Sequence, residues 1–301
     1  MTSIGKGLGW VLGTLLTTST LVAQEVDRPS LRYHLNTGML FETNLEREET
    51  PTGAYGGVVG LGIGFRNRAR RPSLEFGYEI AGHRYSVPAR WNRLSHAGTG
   101  AVTVYPTRRL AMRLEAEATI KGSSEDRDLG NQYRLRQTIE WRILRDTEIE
   151  IGAVARLRRY SDNLDRNATN TYAEVKLTQR IIQGLDLAAS GRLESNDASG
   201  TRYQYDRVTY QIGLEATGGF GEFDIEGGYK IQDYRTRLVD GGAADRSRRQ
   251  DRRYQVEASW TIFPWETFGI AAGYQFEHRV SNDPNEGYVA HQFGLWFTRR
   301  W

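Results

Sequence analysis

Catalysis would need a nucleophile, a base or a ligand set at workable separation, and few residues of this chain offer one. Its histidines are His34, His83, His96, His278 and His291, with no two at close metal-ligand spacing, so interface placement explains His278 and His291 better than zinc does. A serine hydrolase requires a hydroxyl and an imidazole within hydrogen-bond reach, plus an oxyanion site. Ser95 and His96 are adjacent, and in a strand they point to opposite faces and cannot act as a pair. His83 and Ser86, with Glu79 as an orienting acid, would meet only in three dimensions. The acidic stretches 123–128 and 161–165 carry oxygens suited to calcium. Neither matches a fixed calcium-loop pattern, and both read as turn-forming surface loops. Gly56-Gly57 and the Gly60–Gly64 series lie inside an alternating segment and begin no helix, so they do not form a phosphate cradle. The absence of cysteine excludes disulfides, cysteine-held zinc and thiol chemistry. No catalytic residue, cofactor or metal is predicted.

Charge in regular alternation is what the sequence has in abundance. Of its 40 basic residues only four are lysine, and 37 acids bring the formal net charge to +3. So mixed a balance is poor evidence for nucleic-acid binding, and none is predicted. With 26% charged and 39% hydrophobic residues, the chain is also too polar for a bundle of membrane helices. From residue 31 onward, segments of about 10 to 14 residues alternate apolar with polar or small side chains, the period of a strand with two different faces. In one, Leu110, Met112, Leu114, Ala116, Ala118 and Ile120 oppose Arg113, Glu115, Glu117 and Lys121. In the next, Tyr133, Leu135, Ile139, Trp141 and Ile143 oppose Arg134, Arg136, Glu140 and Arg142. A helix would scatter these arginines onto its apolar stripe.

The predicted strands are 31–43, 55–66, 73–84, 94–105, 109–121, 131–143, 147–159, 171–182, 184–195, 205–216, 221–233, 253–263, 267–279 and 288–301. Long polar connections (44–54, 85–93, 122–130, 160–170, 196–204, 234–252, 280–287) alternate without exception with short ones. That regularity predicts an all-β fold, a transmembrane antiparallel β-barrel of about 14 strands with tight periplasmic turns and long outer loops. Both chain ends then lie on the periplasmic side. Strands of 10 or more residues match an outer-membrane crossing, whereas strands of soluble proteins mostly have about 5 or 6 residues. Aromatic residues near the strand ends are candidates for interfacial girdles.

Turning the apolar face outward fixes the inward set, because a charge facing lipid costs about 2–4 kcal/mol at the midplane. The predicted lumen-facing residues begin with Glu75, Glu79, Arg113, Glu115, Glu117, Arg134, Arg136, Glu140 and Arg142. They continue with Arg156, Arg158, Glu174, Arg180, Arg192, Glu226 and Glu257. The connection 234–252 carries Arg246, Arg248, Arg249 and Arg252, which read either as a basic gate or docking surface for anionic headgroups or solutes, or as a solvated outer loop.

Ahead of the strands, Lys6, an apolar stretch from Leu8 to Leu16 and the small Ala23 before a polar start describe a secretory leader. The expected organisation is a leader over 1–23, a short periplasmic segment over 24–30 and the barrel over 31–301.

The last segment places Val289, His291, Phe293, Leu295, Phe297, Arg299 and Trp301 on one face. With the leader, this ending resembles Gram-negative outer-membrane barrel proteins, whose final strand commonly closes on an aromatic residue in phase with its apolar face. Phe297 and Trp301 match that pattern and Arg299 departs from it. The resemblance covers the mature chain as a pattern and brings no family-specific motif; in size and strand count the chain looks like the monomeric 14-stranded porins, a similarity of architecture that transfers no substrate. It implies location in the outer membrane, contact with its lipid and lipopolysaccharide, and the barrel-assembly machinery as a partner that reads the final strand. Two functions fit: a porin-like passive channel for small polar or ionic solutes, or a non-conducting envelope scaffold whose outer loops serve a polysaccharide or protein export partner. Neither is an enzyme.

Overall fold

The computed structural model describes residues 30–44, 53–67, 72–86, 93–123, 130–161, 163–219, 221–239, 247–265 and 267–300. Its strands are β1 (Ser30–Glu42), β2 (Ala54–Asn67), β3 (Ser73–Tyr85), β4 (Arg93–Thr107), β5 (Leu110–Ser123), β6 (Asn131–Arg142) and β7 (Thr147–Arg159). The second half comprises β8 (Ala168–Ile182), β9 (Leu185–Ala198), β10 (Tyr205–Gly218), β11 (Gly221–Leu238), β12 (Arg248–Trp265), β13 (Phe268–Ser281) and β14 (Tyr288–Arg300). Each pairs antiparallel with its sequence neighbours, and β1 pairs with β14 from His34↔Arg300 to Glu42↔Gln292, which closes the barrel. Short turns gather at one end, together with the start of β1 and the finish of β14; the longer connections gather at the other.

The alternation of side chains fixes which face is which. Leu114, Leu135, Ile151, Val175, Leu193 and Ile212 stand exposed on the outer wall at mid-strand. Their chain neighbours Glu115, Arg136, Gly152, Glu174, Glu194 and Gly213 point inward. Rings recur along the outer wall in cross-strand pairs: Tyr229 with Tyr254 at 5.0 Å, Tyr254 with His278 at 6.1 Å, and Phe41 between Tyr55 and Phe293. Such pairs add to strand pairing beyond the area they cover.

Twelve strands end within three residues of where the alternation places them, and the hairpin of β11 and β12 does not. Both strands run for 18 residues, so the predicted 19-residue loop over 234–252 is a ladder at its base, with a register shift between Asp233 and Leu238. The apolar rhythm stops at residue 233, but the two-residue rhythm continues in polar side chains: Tyr234, Arg249 and Asp251 are buried on the inner side, while Arg235 and Gln250 lie outside. Three other long connections are condensed into single 3-10 turns, Leu164–Arg166, Thr201–Tyr203 and Pro284–Glu286. The expected leader, residues 24–29, the acidic stretch beyond Ser123, Arg246 and Trp301 lie outside the described residues.

Closure is packed from within. Trp296 joins Leu40, Ala54, Val58, Tyr85 and Ala271 in an apolar cluster on the inner side of the seam. Its indole lies flat over glycines of three strands. A Cβ at Gly273 would stand 2.7 Å from the ring, one at Gly294 would also collide with it, and one at Gly38 would meet both the ring and the Leu295 carbonyl oxygen at 2.8 Å. Beyond the ladder, the Thr43 amide donates to the His291 carbonyl at 2.9 Å and Asn44 Nδ2 to the Val289 carbonyl at 3.2 Å.

Overpacking of this kind costs about 1–3 kcal/mol. Gly38→Ala is therefore expected to lower unfolding stability in detergent by that amount, whereas Gly57→Ala, with nothing within 4 Å of the new methyl, leaves it unchanged. Denaturant unfolding followed by the electrophoretic shift between folded and unfolded barrel reads the difference.

Candidate functional site

The inner face is a chain of alternating charges because strand period two delivers one side chain inward from every second residue of each strand. Glu75 on β3 accepts from Arg66 at 2.8 Å and from Arg113 at 2.9 Å. Glu115 takes Arg113 at 3.0 Å and Arg134 at 3.1 Å, and Glu117 takes Arg134 at 2.5 Å. Arg136 reaches Glu150 and Glu174, each at 2.6 Å, and Arg192 closes on Glu174 at 2.8 Å. These groups are only part-buried: Arg113, Arg134 and Arg136 keep 26%, 26% and 31% of their side-chain surface open. In so wet a setting each pair is worth at most about 1 kcal/mol, and the network's first effect is to line the wall with ionised groups.

Further round, the pairing is drier. Glu194 is buried and accepts from Tyr205 at 3.2 Å, Arg156 at 3.5 Å, Arg207 at 3.4 Å and Asn170 at 2.8 Å. Arg249 is wholly buried, bound to Asp251 at 2.9 Å and to Glu286 at 2.8 Å. Glu286 also takes Arg237 at 2.7 Å, while Arg279 pairs with Asp251. This cluster ties β11, β12, β13 and the turn at 284–286 together at the long-connection end. Removing one partner from such a buried group is costly because the other is left charged and dry.

The predicted lumen residues fall into three groups. Glu75, Arg113, Glu115, Glu117, Arg134, Arg136, Arg156, Glu174 and Arg192 join the networks just described, and Glu79 lies 3.8 Å from His34. Arg180 pairs with Asp186 at 3.3 Å near the short turns, Arg142 is exposed at that rim in register with Glu148, and Arg158 is part-buried beside Ala168. Glu140, Glu226 and Glu257 carry no ion pair among the described residues; Glu140 faces Glu150 and Glu226 faces Glu257 across the ladder.

The candidate gate divides differently. Arg248 opens β12 on the outer wall, Arg252 is exposed there, and Arg249 is fixed in the buried cluster. A rigid, completely buried guanidinium is not a mobile gate element, so that reading fails for Arg249. Phe297 is on the outer wall, stacked against Phe268 at 6.3 Å. Sequence reading did not single out Arg66, Arg279, Glu286 or Trp296. For Trp296 the signal was present, since it has the inward parity of β14, but an indole among small inward residues announces nothing until the glycines of β1 and β13 are seen beneath it.

The histidines lie apart. Tyr78 Oη and His96 Nδ1 share a hydrogen bond of 2.7 Å, and Tyr274 Oη and His291 Nδ1 one of 2.9 Å, both on the outer wall. His83 is inward and buried, so it does not share a face with His96. Among the described residues no group of three or more histidine and carboxylate side chains has metal-binding geometry.

No protein-family profile matches the chain, and no curated protein matches its sequence. Solved structures do match its fold. A loop L8 deletion mutant of OmpT, an outer membrane protein of Vibrio cholerae, aligns with a TM-score of 0.54 and 10% identity over 91% of this chain and 99% of that one. An anion-selective porin from Comamonas acidovorans aligns with a TM-score of 0.53 and 7% identity, again over 91% and 99%. In-vitro folded OmpT of Vibrio cholerae aligns at 0.51 and 10% over 91% and 97%. The shared property is the closed antiparallel barrel of outer-membrane type.

The turn cluster has a defined acid response. Burial raises the Glu286 carboxyl, but its hydrogen bond and charge pairing with Arg249, and the charge of Arg237, outweigh this and hold it below its ordinary value of 4.5. A depressed carboxylate contributes its stability in full above the ordinary value and loses it as pH falls through the lowered one. Backbone hydrogen exchange over 282–287, corrected for intrinsic rate, is expected to be flat above pH 4.5 and to accelerate below it; Glu286→Gln is expected to accelerate exchange at neutral pH and abolish the step.

Proposed function

We infer that this protein is an outer-membrane channel through which small polar or ionic solutes diffuse. The observation that carries the reading is the inner wall of part-open guanidinium and carboxylate groups, which has no use in a dry core and suits a water-filled lumen. The outer wall of exposed Leu, Ile, Val and aromatic side chains suits lipid. Fourteen strands about 4.8 Å apart, tilted by about 40°, give a backbone diameter of roughly 27 Å and, after side chains, a bore on the order of 15 Å. Among the described residues the elements are the fourteen strands and three 3-10 turns, with no separate plug domain. The likeness to an anion-selective porin supports a channel as the use of this fold.

In this reading residues 1–23 direct export, the chain ends and short turns are periplasmic, and the barrel-assembly machinery recognises the last strand through Phe297 and Trp301. Lipopolysaccharide surrounds the long-connection end, and the chain performs no covalent chemistry.

Purified, refolded protein in a planar bilayer is expected to give ohmic conductance that scales with salt concentration. A current no greater than background across voltages and salts would reject the channel and favour the scaffold for an export partner. Placement in lipid is tested separately. Leu135, half-exposed at the middle of β6, is expected to tolerate Ala with little effect, whereas Leu135→Arg costs about 2–4 kcal/mol when folding is measured into vesicles and much less in detergent.

A further inference from the structure

The charge chain is unevenly balanced along the barrel axis. Toward the long connections the inward arginines are matched by Glu194, Glu277, Asp251 and Glu286. Toward the short turns, on β10 to β12, Glu215, Asp224, Glu226 and Glu257 have no ion pair among the described residues, and they face one another in register: Glu215 opposite Asp224, Glu226 opposite Glu257. Like charges placed directly across a ladder destabilise it. Glutamine donors relieve part of this, with Gln275 Nε2 donating to Glu257 Oε1 at 3.0 Å and Gln211 donating to Glu226. Lys176, whose charge acts on Glu215 and Asp224, and Lys230, whose charge acts on Glu257, offset part of it, and the acids remain in excess.

Glu215, Asp224 and Glu257 border a concavity open to the lumen, lined also by Gln275, Gln292, Ala271 and Trp296. Gln275 and Gln292 supply an independent sign of a missing partner. Each is more than nine-tenths buried, and each leaves its Oε1 without a hydrogen-bond donor. The Gln275 amide donates through Nε2 to Glu257, which fixes Oε1 as its acceptor end. Buried acceptors of this kind are normally satisfied, because leaving one unpaired costs about 1–3 kcal/mol. Acceptor oxygens without donors, beside carboxylates that outnumber the nearby Lys176 and Lys230, call for a group that is both a donor and a cation. The rest of the wall is mixed, with Glu222, Ser259 and Thr261 beside Ala271 and the indole of Trp296, whose ring face attracts cations. A bare metal ion is a poorer fit, since no three acidic or histidine side chains converge among the described residues.

We propose that the short-turn half of the lumen holds a subsite for a small organic cation, with its ammonium among Asp224, Glu257 and the Gln275 and Gln292 oxygens and its apolar body against Trp296. The subsite rests on the channel reading for its access route and gives that channel a solute class.

The probes are benzylammonium, methylammonium and benzoate, added to the short-turn side of the barrel in a planar bilayer under potassium chloride, with calorimetric titration of the detergent-folded protein in parallel. Benzylammonium is expected to lower the current and to bind at least tenfold more tightly than methylammonium, while benzoate does neither. Glu257→Gln together with Asp224→Asn is expected to weaken both ammonium ions at least tenfold; these variants preserve side-chain shape and so remain informative where Trp296→Ala disturbs closure. Trp296→Ala in a barrel that still folds is expected to erase the advantage of the ring. Benzoate acting as strongly as benzylammonium, or unchanged binding in the double variant, overturns the subsite. A barrel without current rejects the channel alone; calorimetry then decides the subsite, since heat from benzylammonium and none from benzoate supports it and absence of both overturns it.

Discussion

Pairing of β14 with β1 leaves no free edge among the described strands, and the other features depend on that closure. A strand edge exposes a row of amide and carbonyl groups, and hydrocarbon offers them no partner. Once every strand has two neighbours, the only remaining freedom is which face turns outward. One register slip would exchange the faces, placing Arg136 where Leu135 stands. The dense inward charge therefore stabilises less through its individual pairs than by making a one-residue slip costly.

The inner pairs do different work at the two ends. Near the long connections Arg249, Arg279, Asp251 and Glu286 are dry and mutually committed, so they fix the hairpin of β11 and β12 to the turn at 284–286. Near the middle of β5 to β9 the pairs are wet, screened and replaceable. At the short-turn side of β10 to β12 the acids are in excess. Along the axis, stability yields to solvation and then to unmet charge, and this gradient rather than the net charge of +3 is what a solute would encounter.

The barrel was legible in the sequence because the signal for a strand with two environments is the alternation itself, and it survives whatever residues carry it. It was misread only where polar side chains carry it on both faces. From Tyr234 to Arg237 nothing apolar marks the outer side, since Arg235 there bonds Asp206 and Ser195, and so the strand looked like loop. Which carboxylate meets which guanidinium was not legible. Arg136 selects Glu150 and Glu174 from strands one and two away, and that choice depends on stagger and side-chain reach, which no linear spacing encodes. The buried state of Arg249 was hidden for the same reason: its partner Glu286 is 37 residues away.

The glycines beneath the inner rings govern more than packing. Tyr85 rests on Gly56, His34 on Gly62 and Trp296 on Gly38, Gly273 and Gly294, so three large side chains lie along the wall instead of standing toward the axis. A methyl group at any of these seats would tip its ring upright, and the obstruction would span a good part of the open cross-section. Clearance on this side of the barrel is thus set by side chains that are absent, and a substitution that adds a single carbon there narrows it.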